Sequence, residues 1–246
     1  MLITSKDNDF IKHLKKLKDK KYREEYGEFI VEGIKMIQEA IDEKAIIKDI
    51  IVCDDCKNQE YFSKEFLYEI AKYNCIYVTE KVFLQITDVT NPQGILAVID
   101  KKKIDADINY DSDLFLILDN IQDPGNMGTI LRTADSINLK QIIVAKGTAD
   151  VYNPKVVRST MGAIFRVKVI EIEDLTKVVK EMKKRKIKVY ATDLATNSSI
   201  YDVDYKKSAI IIGNEANGVS KQLLDLADQK IKIPMIGKTE SLNAAV

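Results

Sequence analysis

Five polar side chains in the C-terminal half of the chain, Asn126, Arg132, Glu215, Ser241 and Asn243, stand shortly after apolar runs and among Gly, Asn or Pro. That is how a strand end reads when it delivers a loop to a ligand. In Asn120–Asp135 (NIQDPGNMGTILRTAD), Pro124-Gly125 predicts a turn and Asn126 a helix N-cap. Gly128 permits close backbone approach, and Arg132, six residues after Asn126, is expected near the helix start. A helix N-terminus beside an Arg suits a phosphate or a carboxylate. Ile210–Ser220 (IIIGNEANGVS) brackets Glu215 between Gly213 and Gly218, a loop whose backbone amides could meet a flat or polar ligand. In Ile233–Val246 (IPMIGKTESLNAAV), Ser241 and Asn243 precede an Ala-rich helical start. Each segment alone also reads as plain structure: a capped turn with a surface Arg, a tight turn, an N-cap. Three in one half of a chain suggest one composite site.

Several chemistries are excluded. Neither glycine loop is a GxGxxG, and none carries the Lys-Ser/Thr of a P-loop. The single histidine, His13, lies far from these segments, which removes a Ser-His-Asp hydrolase and a His-carboxylate catalytic metal centre. No metal site is expected. Cys53 and Cys56 form one CxxC, with Cys75 apart, too few ligands for structural zinc; they read as plain thiols or a redox pair.

The elements that position these residues follow from hydrophobic patterning. The polar run Lys101–Asp113 separates two α/β segments, giving an N-terminal domain over 1–102, a linker over 103–113 and a C-terminal domain over 114–246. In the first, Phe10, Ile11, Leu14 and Leu17 recur at helical spacing, and strands are predicted at Glu28–Val31, Ile47–Val52, Cys75–Val78 and Gly94–Ile99. Helices are predicted at Ile34–Asp42 and Lys64–Tyr73. In the second, strands are predicted at Leu114–Leu118, Gln141–Ala145, Val167–Ile170, Lys188–Ala191, Ala209–Ile212 and Ile231–Ile233, with helices at Met127–Ile137, Pro154–Met161, Leu175–Lys186 and Lys221–Ala227. Continuous apolar strands such as LFLIL indicate a parallel sheet covered on both faces. Ligands of such sheets gather at the carboxyl ends of the strands, where all three segments fall.

The charge is neutral overall, with 38 Lys/Arg against 38 Asp/Glu, but it is unevenly spread. Lys12–Arg23 and Lys177–Lys188 each hold seven Lys/Arg against one acid. Such stretches make local positive fields that phosphates sense, or else solvated helix faces. No apolar run approaches the roughly 18–20 residues of a membrane span. Without a signal-like apolar N-terminus, a cytoplasmic location is expected.

The segments in this order resemble the motifs of the SpoU-type RNA 2′-O-ribose methyltransferases of the SPOUT superfamily. The first motif is matched by Asn126, Gly128, Arg132 and Ala134, the second by Gly213, Glu215 and Gly218, the third by Ile233, Pro234, Met235, Ser241, Leu242 and Asn243. Lys155–Ala163 is similar to the family helix with Arg158, Ser159 and Gly162. EFIVEGIKMIQEA and NPQGILAVI are similar to its L30e-like substrate-binding domain. The resemblance implies a parallel α/β sheet with a C-terminal trefoil knot, S-adenosylmethionine as methyl donor, a homodimer, and structured RNA as substrate, ribosomal rather than transfer RNA. It implies cofactor contacts at Gly213, Ile233, Met235, Leu242 and Asn243, with Thr192 and Leu194 closing one side. Catalytic roles fall to Arg132, Asn126, Glu215, Ser241 and Asn243, and Glu215 competes with Arg132 or a phosphate as route for the hydroxyl proton. RNA contacts fall to Lys12, Lys15, Lys16, Lys20, Lys21, Arg23 and Arg158. The competing readings are a catalytically silent RNA-binding or ribosome-assembly factor and, more remotely, a Rossmann-type nucleotide enzyme. One departure is that the sequence stops three residues past Asn243, where the family continues as a helix, so that helix is expected to be absent.

Overall fold

The computed structural model describes residues 2–55, 61–101, 107–239 and 241–246. The chain groups into two compact units. Unit 1 comprises Met1–Lys103 with Tyr152–Arg166, and unit 2 comprises Ile104–Val151 with Val167–Val246.

Unit 1 holds β1 (Leu2–Ile3), α1 (Asp9–Lys16), α2 (Lys20–Tyr26), β2 (Glu28–Glu32), α3 (Ile34–Asp42), β3 (Ile47–Cys53), α4 (Lys64–Ile70), β4 (Cys75–Val78), α5 (Glu80–Phe83) and β5 (Ile95–Asp100). Its sheet has the order β1-β4-β3-β5-β2, parallel across β1, β4 and β3 and antiparallel at β5. Successive strand residues point to opposite faces, so each strand feeds two cores. Ile51, Cys53, Leu96 and Val98 pack with Ile11 and Leu14 of α1 and with Val82 and Phe83 of α5. Ile50, Val52, Ile95, Ala97 and Ile99 pack with Met36, Ile37 and Ala40 of α3, Phe66 and Ile70 of α4, and Val157. Cys53 is disulfide-bonded rather than a plain thiol; Cys56 lies outside the described residues.

Unit 2 holds β6 (Leu114–Asp119), α6 (Pro124–Ser136), β7 (Gln141–Ala145), β8 (Lys168–Ile172), α8 (Leu175–Lys184), β9 (Lys188–Thr192), β10 (Ser208–Gly213), α9 (Lys221–Leu226) and β11 (Gln229–Ile231), while α7 (Pro154–Thr160) belongs to unit 1. Its six strands are all parallel, in the order β11-β9-β10-β6-β7-β8. Phe115, Ile117, Val189, Ala191, Ala209 and Ile211 bury one face against Leu175, Val178, Val179 and Met182 of α8. Leu118, Ile142 and Val144 are buried as well, so both faces are covered, as expected of a parallel sheet.

Three expectations change. The last strand is Gln229–Ile231 rather than Ile231–Ile233. The linker expectation, 103–113, falls partly on 103–106, outside the described residues. Its described remainder is fastened to unit 2: Asn109 exchanges two hydrogen bonds with the Gln141 side chain, at 3.1 and 2.6 Å, and Arg185 stands 4.4 Å over the Tyr110 ring. Tyr152–Arg166, expected within the C-terminal domain, groups with unit 1. There the Phe29 and Tyr152 rings meet at 4.8 Å, and Arg166 pairs with Glu39 and Glu43.

Candidate functional site

β6 lies inside the sheet, with β7 and β8 to one side and β10, β9 and β11 to the other. The strand order therefore switches between β6 and β10, and such switch points open a crevice at the carboxyl ends of the strands. Asp119 and Gly213 face each other in register there. Thr192 pairs with Ile231 farther along the same edge.

The two loops leaving β6 and β10 are joined through side chains. Glu215 accepts hydrogen bonds from the Gln122 amide (3.1 Å), the Asp123 amide (3.1 Å) and Asn126 Nδ2 (2.9 Å). Asn214 Nδ2 donates to the Asn120 carbonyl at 2.9 Å, and the Ser220 amide donates to Asp119 Oδ2 at 2.7 Å. Asn120 takes a left-handed turn, φ 65°. The Gln122 amide group ties that turn to the loop after β7 by donating to Asn120 Oδ1 (2.6 Å) and the Gly147 carbonyl (2.8 Å). The β10 loop closes on itself, with the Asn214 and Gly218 backbones exchanging bonds of 3.0 and 2.9 Å. A Cβ on Gly213 would lie 2.0 Å from the Gly218 carbonyl carbon, so only glycine fits.

This geometry corrects the helix-start reading. Asp123, not Asn126, is the N-cap: its carboxylate accepts from the Asn126 amide at 2.8 Å, and Pro124 opens the helix. An Asp followed by Pro at the first helical position was the available signal. Asn126 sits inside the first turn, 8% exposed, where its side chain serves Glu215. The anion expected at this helix start is thus the protein's own carboxylate. Burial alone would raise the Glu215 pKa, but the Asn126 amide and the backbone donors of Gln122, Glu215 itself and Asp123 outweigh it and hold the carboxylate below its ordinary value. An ionised carboxylate held by these donors is a poor proton acceptor.

Arg132 lies farther from the helix start than expected, eight residues after Pro124 or about 12 Å along the axis. Met127, Ile130, Leu131 and Ala134 bury the core face of α6, and Arg132 projects on the exposed face. Among the described residues it has no hydrogen-bond or ion-pair partner, which leaves its guanidinium available to a ligand.

The remaining expected residues fall at the end of β9, in the loop after it, and in the segment that follows β11. Thr192 Oγ1 donates to the Ile211 carbonyl at 3.2 Å. Beside it Asp193 is held below its ordinary pKa by the Ala195 amide, against burial, with Lys230 assisting. Leu194 is 62% exposed, Ile233 37% and Leu242 44%, with Met235 half-buried. These apolar side chains are all at least partly offered to solvent. Ser241 and Asn243 are exposed, and Asn243 Oδ1 accepts from the Ala245 amide at 2.8 Å. Among the described residues no hydrogen bond joins Ser241 or Asn243 to Arg132, Asn126 or Glu215. Gln122, Asp123 and Asn214 are the site residues that sequence reasoning missed. Among the described residues no group of three His, Cys, Asp or Glu side chains could hold a metal.

In unit 1 the basic stretch is only partly a free surface. Arg23 is 2% exposed and donates to the Leu17 and Lys18 carbonyls at 2.8 and 2.7 Å, closing the end of α1. It is a structural cap, not an RNA contact. Lys12 pairs with Asp9, Lys20 with Glu24, and Lys15 donates to Gln85. Arg158 lines a small cavity with Glu32, Lys18 and Asp88. Burial raises the Glu32 pKa there, against the Thr87 hydroxyl, the Asp88 amide and the Arg158 charge.

Comparison with known proteins bears on both units. Residues 113–246 match the model of the SpoU rRNA methylase family, and residues 8–97 match that of the MRM3-like substrate-binding domain. The 23S rRNA (guanosine(2553)-2′-O)-methyltransferase RlmP of Bacillus subtilis is 34% identical over 99% of this chain and 94% of its own. Among solved structures, an AdoMet-bound rRNA methyltransferase from Sinorhizobium meliloti superposes with TM-score 0.82 at 30% identity, covering 100% of this chain and 93% of that one. The SpoU methyltransferase AviRb from Streptomyces viridochromogenes, in complex with AdoMet, superposes with TM-score 0.83 at 26% identity, covering 97% and 93%.

Proposed function

The chain belongs to the SpoU rRNA methylase family, and from that membership and the site's geometry we infer that it methylates a ribose 2′-hydroxyl in ribosomal RNA. The observation that carries the reading is the Glu215 junction, which fixes the β6 and β10 loops at the switch point of a parallel sheet. The large-subunit RNA is favoured because the RlmP relative is named for 23S rRNA. S-adenosylmethionine is the donor, supplying a methyl group on an electrophilic sulfonium when bound. Gly213, Thr192, Leu194, Ile233, Met235, Leu242 and Asn243 would hold it: Gly213 by close backbone approach, the apolar side chains by covering the adenosine.

The chain's own part is alignment. Arg132, exposed and without a partner among the described residues, holds a phosphate next to the target ribose and steadies charge on the hydroxyl oxygen as its proton leaves for solvent. A guanidinium offers five donors and no acceptor, so it acts as an orienting group rather than a base. Asn126 and Glu215 position the loop assigned to the ribose, Asn243 orders the third segment through the Ala245 amide, and exposed Ser241 is free to orient the ribose or the cofactor. The family also implies the C-terminal knot and a homodimer. A cytoplasmic site of action accords with an rRNA substrate, and no described helix is long and apolar enough to cross a membrane. The test is methyl transfer from labelled S-adenosylmethionine to an unmodified 23S rRNA transcript. Wild-type protein should label it. Arg132→Ala should lose at least 100-fold in turnover while cofactor affinity stays within a few fold, and equal turnover by the two proteins would refute the assignment.

A further inference from the structure

The basic stretch of unit 1 carries two cations that the ion-pair pattern leaves over. Lys12, Lys18 and Lys20 have carboxylate partners, Lys15 has Gln85, and Arg23 is buried. Lys16 and Lys21 have no carboxylate partner among the described residues. Both stand by one ring: their Nζ atoms lie 5.3 and 5.5 Å from the centroid of Tyr22. Tyr22 in turn stacks on Tyr26, with centroids 6.0 Å apart and planes 17° apart, and Tyr26 meets the His13 ring at 4.7 Å.

Tyr26 packs against the core and Tyr22 does not. Tyr22 is half-buried, with Tyr26 stacked on it and the Lys16 and Lys21 ammonium groups over its ring. The holding is rigid. Arg23, next in the chain, fixes the corner between α1 and α2 through the Leu17 and Lys18 carbonyls, and Asp19 caps α2 at the Lys21 amide, 2.9 Å. His13 is anchored through Glu28, 2.6 Å away, which Lys48 also holds at 2.7 Å. A fixed ring covered by two ammonium groups that have no carboxylate partner among the described residues, each on a flexible stem that can swing aside, matches an unpaired nucleobase with its neighbouring phosphates.

We propose that Tyr22, with Lys16 and Lys21, is a stacking site on unit 1 for an unpaired base of the RNA substrate. The site rests on the reading that this protein acts on RNA, and it adds where and how the substrate is gripped. Lys16 and Lys21 take the phosphates on either side of the base, displaced from the ring they now cover. Stacking is tolerant of base identity, so the site selects RNA with a bulge or open loop rather than a sequence.

The test is binding of an unmodified 23S rRNA transcript at several salt concentrations, with methyl transfer to the same transcript measured in parallel. Tyr22→Ala should weaken binding at least fivefold with the salt dependence unchanged, as expected for loss of one stacked base. Tyr22→Phe should bind like wild type. Lys16→Gln with Lys21→Gln should weaken binding and reduce the slope of log K against log salt by about 1.4–1.8. Tyr68→Ala, which removes another tyrosine of unit 1 with a lysine above it (Lys72, 4.9 Å), should change nothing. Wild-type affinity for Tyr22→Ala, a Tyr22→Phe protein as weak as Tyr22→Ala, or equal losses for Tyr68→Ala would each overturn the site. Thermal melting of each variant separates these results from unfolding. If wild type binds the transcript with the expected variant pattern but transfers no methyl group, the stacking site stands and the functional reading falls.

Discussion

Glu215 turns its charge inward, onto the backbone of a neighbouring loop, and this sets what each residue of the site can do. Its carboxylate is taken by the Gln122 and Asp123 amides and by Asn126, so it organises the site rather than accepting a proton there. Its pKa in the folded protein lies below the ordinary value of 4.5. A depressed carboxylate contributes stability that is fully present above its unfolded pKa and is lost as pH falls through the folded one. Hydrogen-exchange protection of the Gln122 and Asp123 amides should therefore hold from neutral pH down to about 5 and fall below about 4.5. Glu215→Gln should abolish that pH step and lower protection at neutral pH, because one amide oxygen cannot replace two carboxylate oxygens. Retained protection in the variant would mean the junction does not hold the loop.

At the scale of elements, tight backbone approach and helix ends matter more than hydrophobic area. Gly213→Ala would drive a Cβ into the Gly218–Val219 backbone, 2.0 and 2.1 Å away. It should cost at least about 1–3 kcal/mol and lower cofactor affinity together with melting temperature. Arg23→Ala would leave the α1 end uncapped in a buried place and should destabilise the protein by about 2–3 kcal/mol, read by denaturant unfolding. The central strands were legible because continuous apolar runs have few other uses; Gln141–Ala145 and Cys75–Val78 match their predicted bounds. What stayed hidden has physical causes. α2 reads KKYREEY, with no apolar stripe, since its buried anchor is an arginine. β11 is an edge strand with exposed or half-exposed Gln229 and Lys230, so an apolar-run reading slid to Ile231–Ile233. In the site, the motif residues were visible but their partners were not: Asn126 looked like a cap because its bond to Glu215 spans 89 positions in sequence.

At the scale of the molecule, the chain divides its work between two units. Unit 2 places one composite edge at the switch of a parallel sheet, and unit 1 carries the aromatic-basic corner at α1 and α2. The path between them is not a single linker, since Tyr152–Arg166 returns to unit 1 before unit 2 is completed. Residues 113–246 match the SpoU rRNA methylase family and residues 8–97 an MRM3-like substrate-binding domain, so one activity on one RNA class is expected. The most direct measurement is mapping of ribose methylation, nucleotide by nucleotide, across an unmodified 23S rRNA transcript incubated with S-adenosylmethionine and either wild-type protein or Arg132→Ala. A 2′-O-methyl group should appear at a defined ribose with wild type and none with the variant. Methylation confined to bases, no methylation at all, or an equal signal from Arg132→Ala would overturn the assignment of this chain as a ribose 2′-O-methyltransferase acting through Arg132.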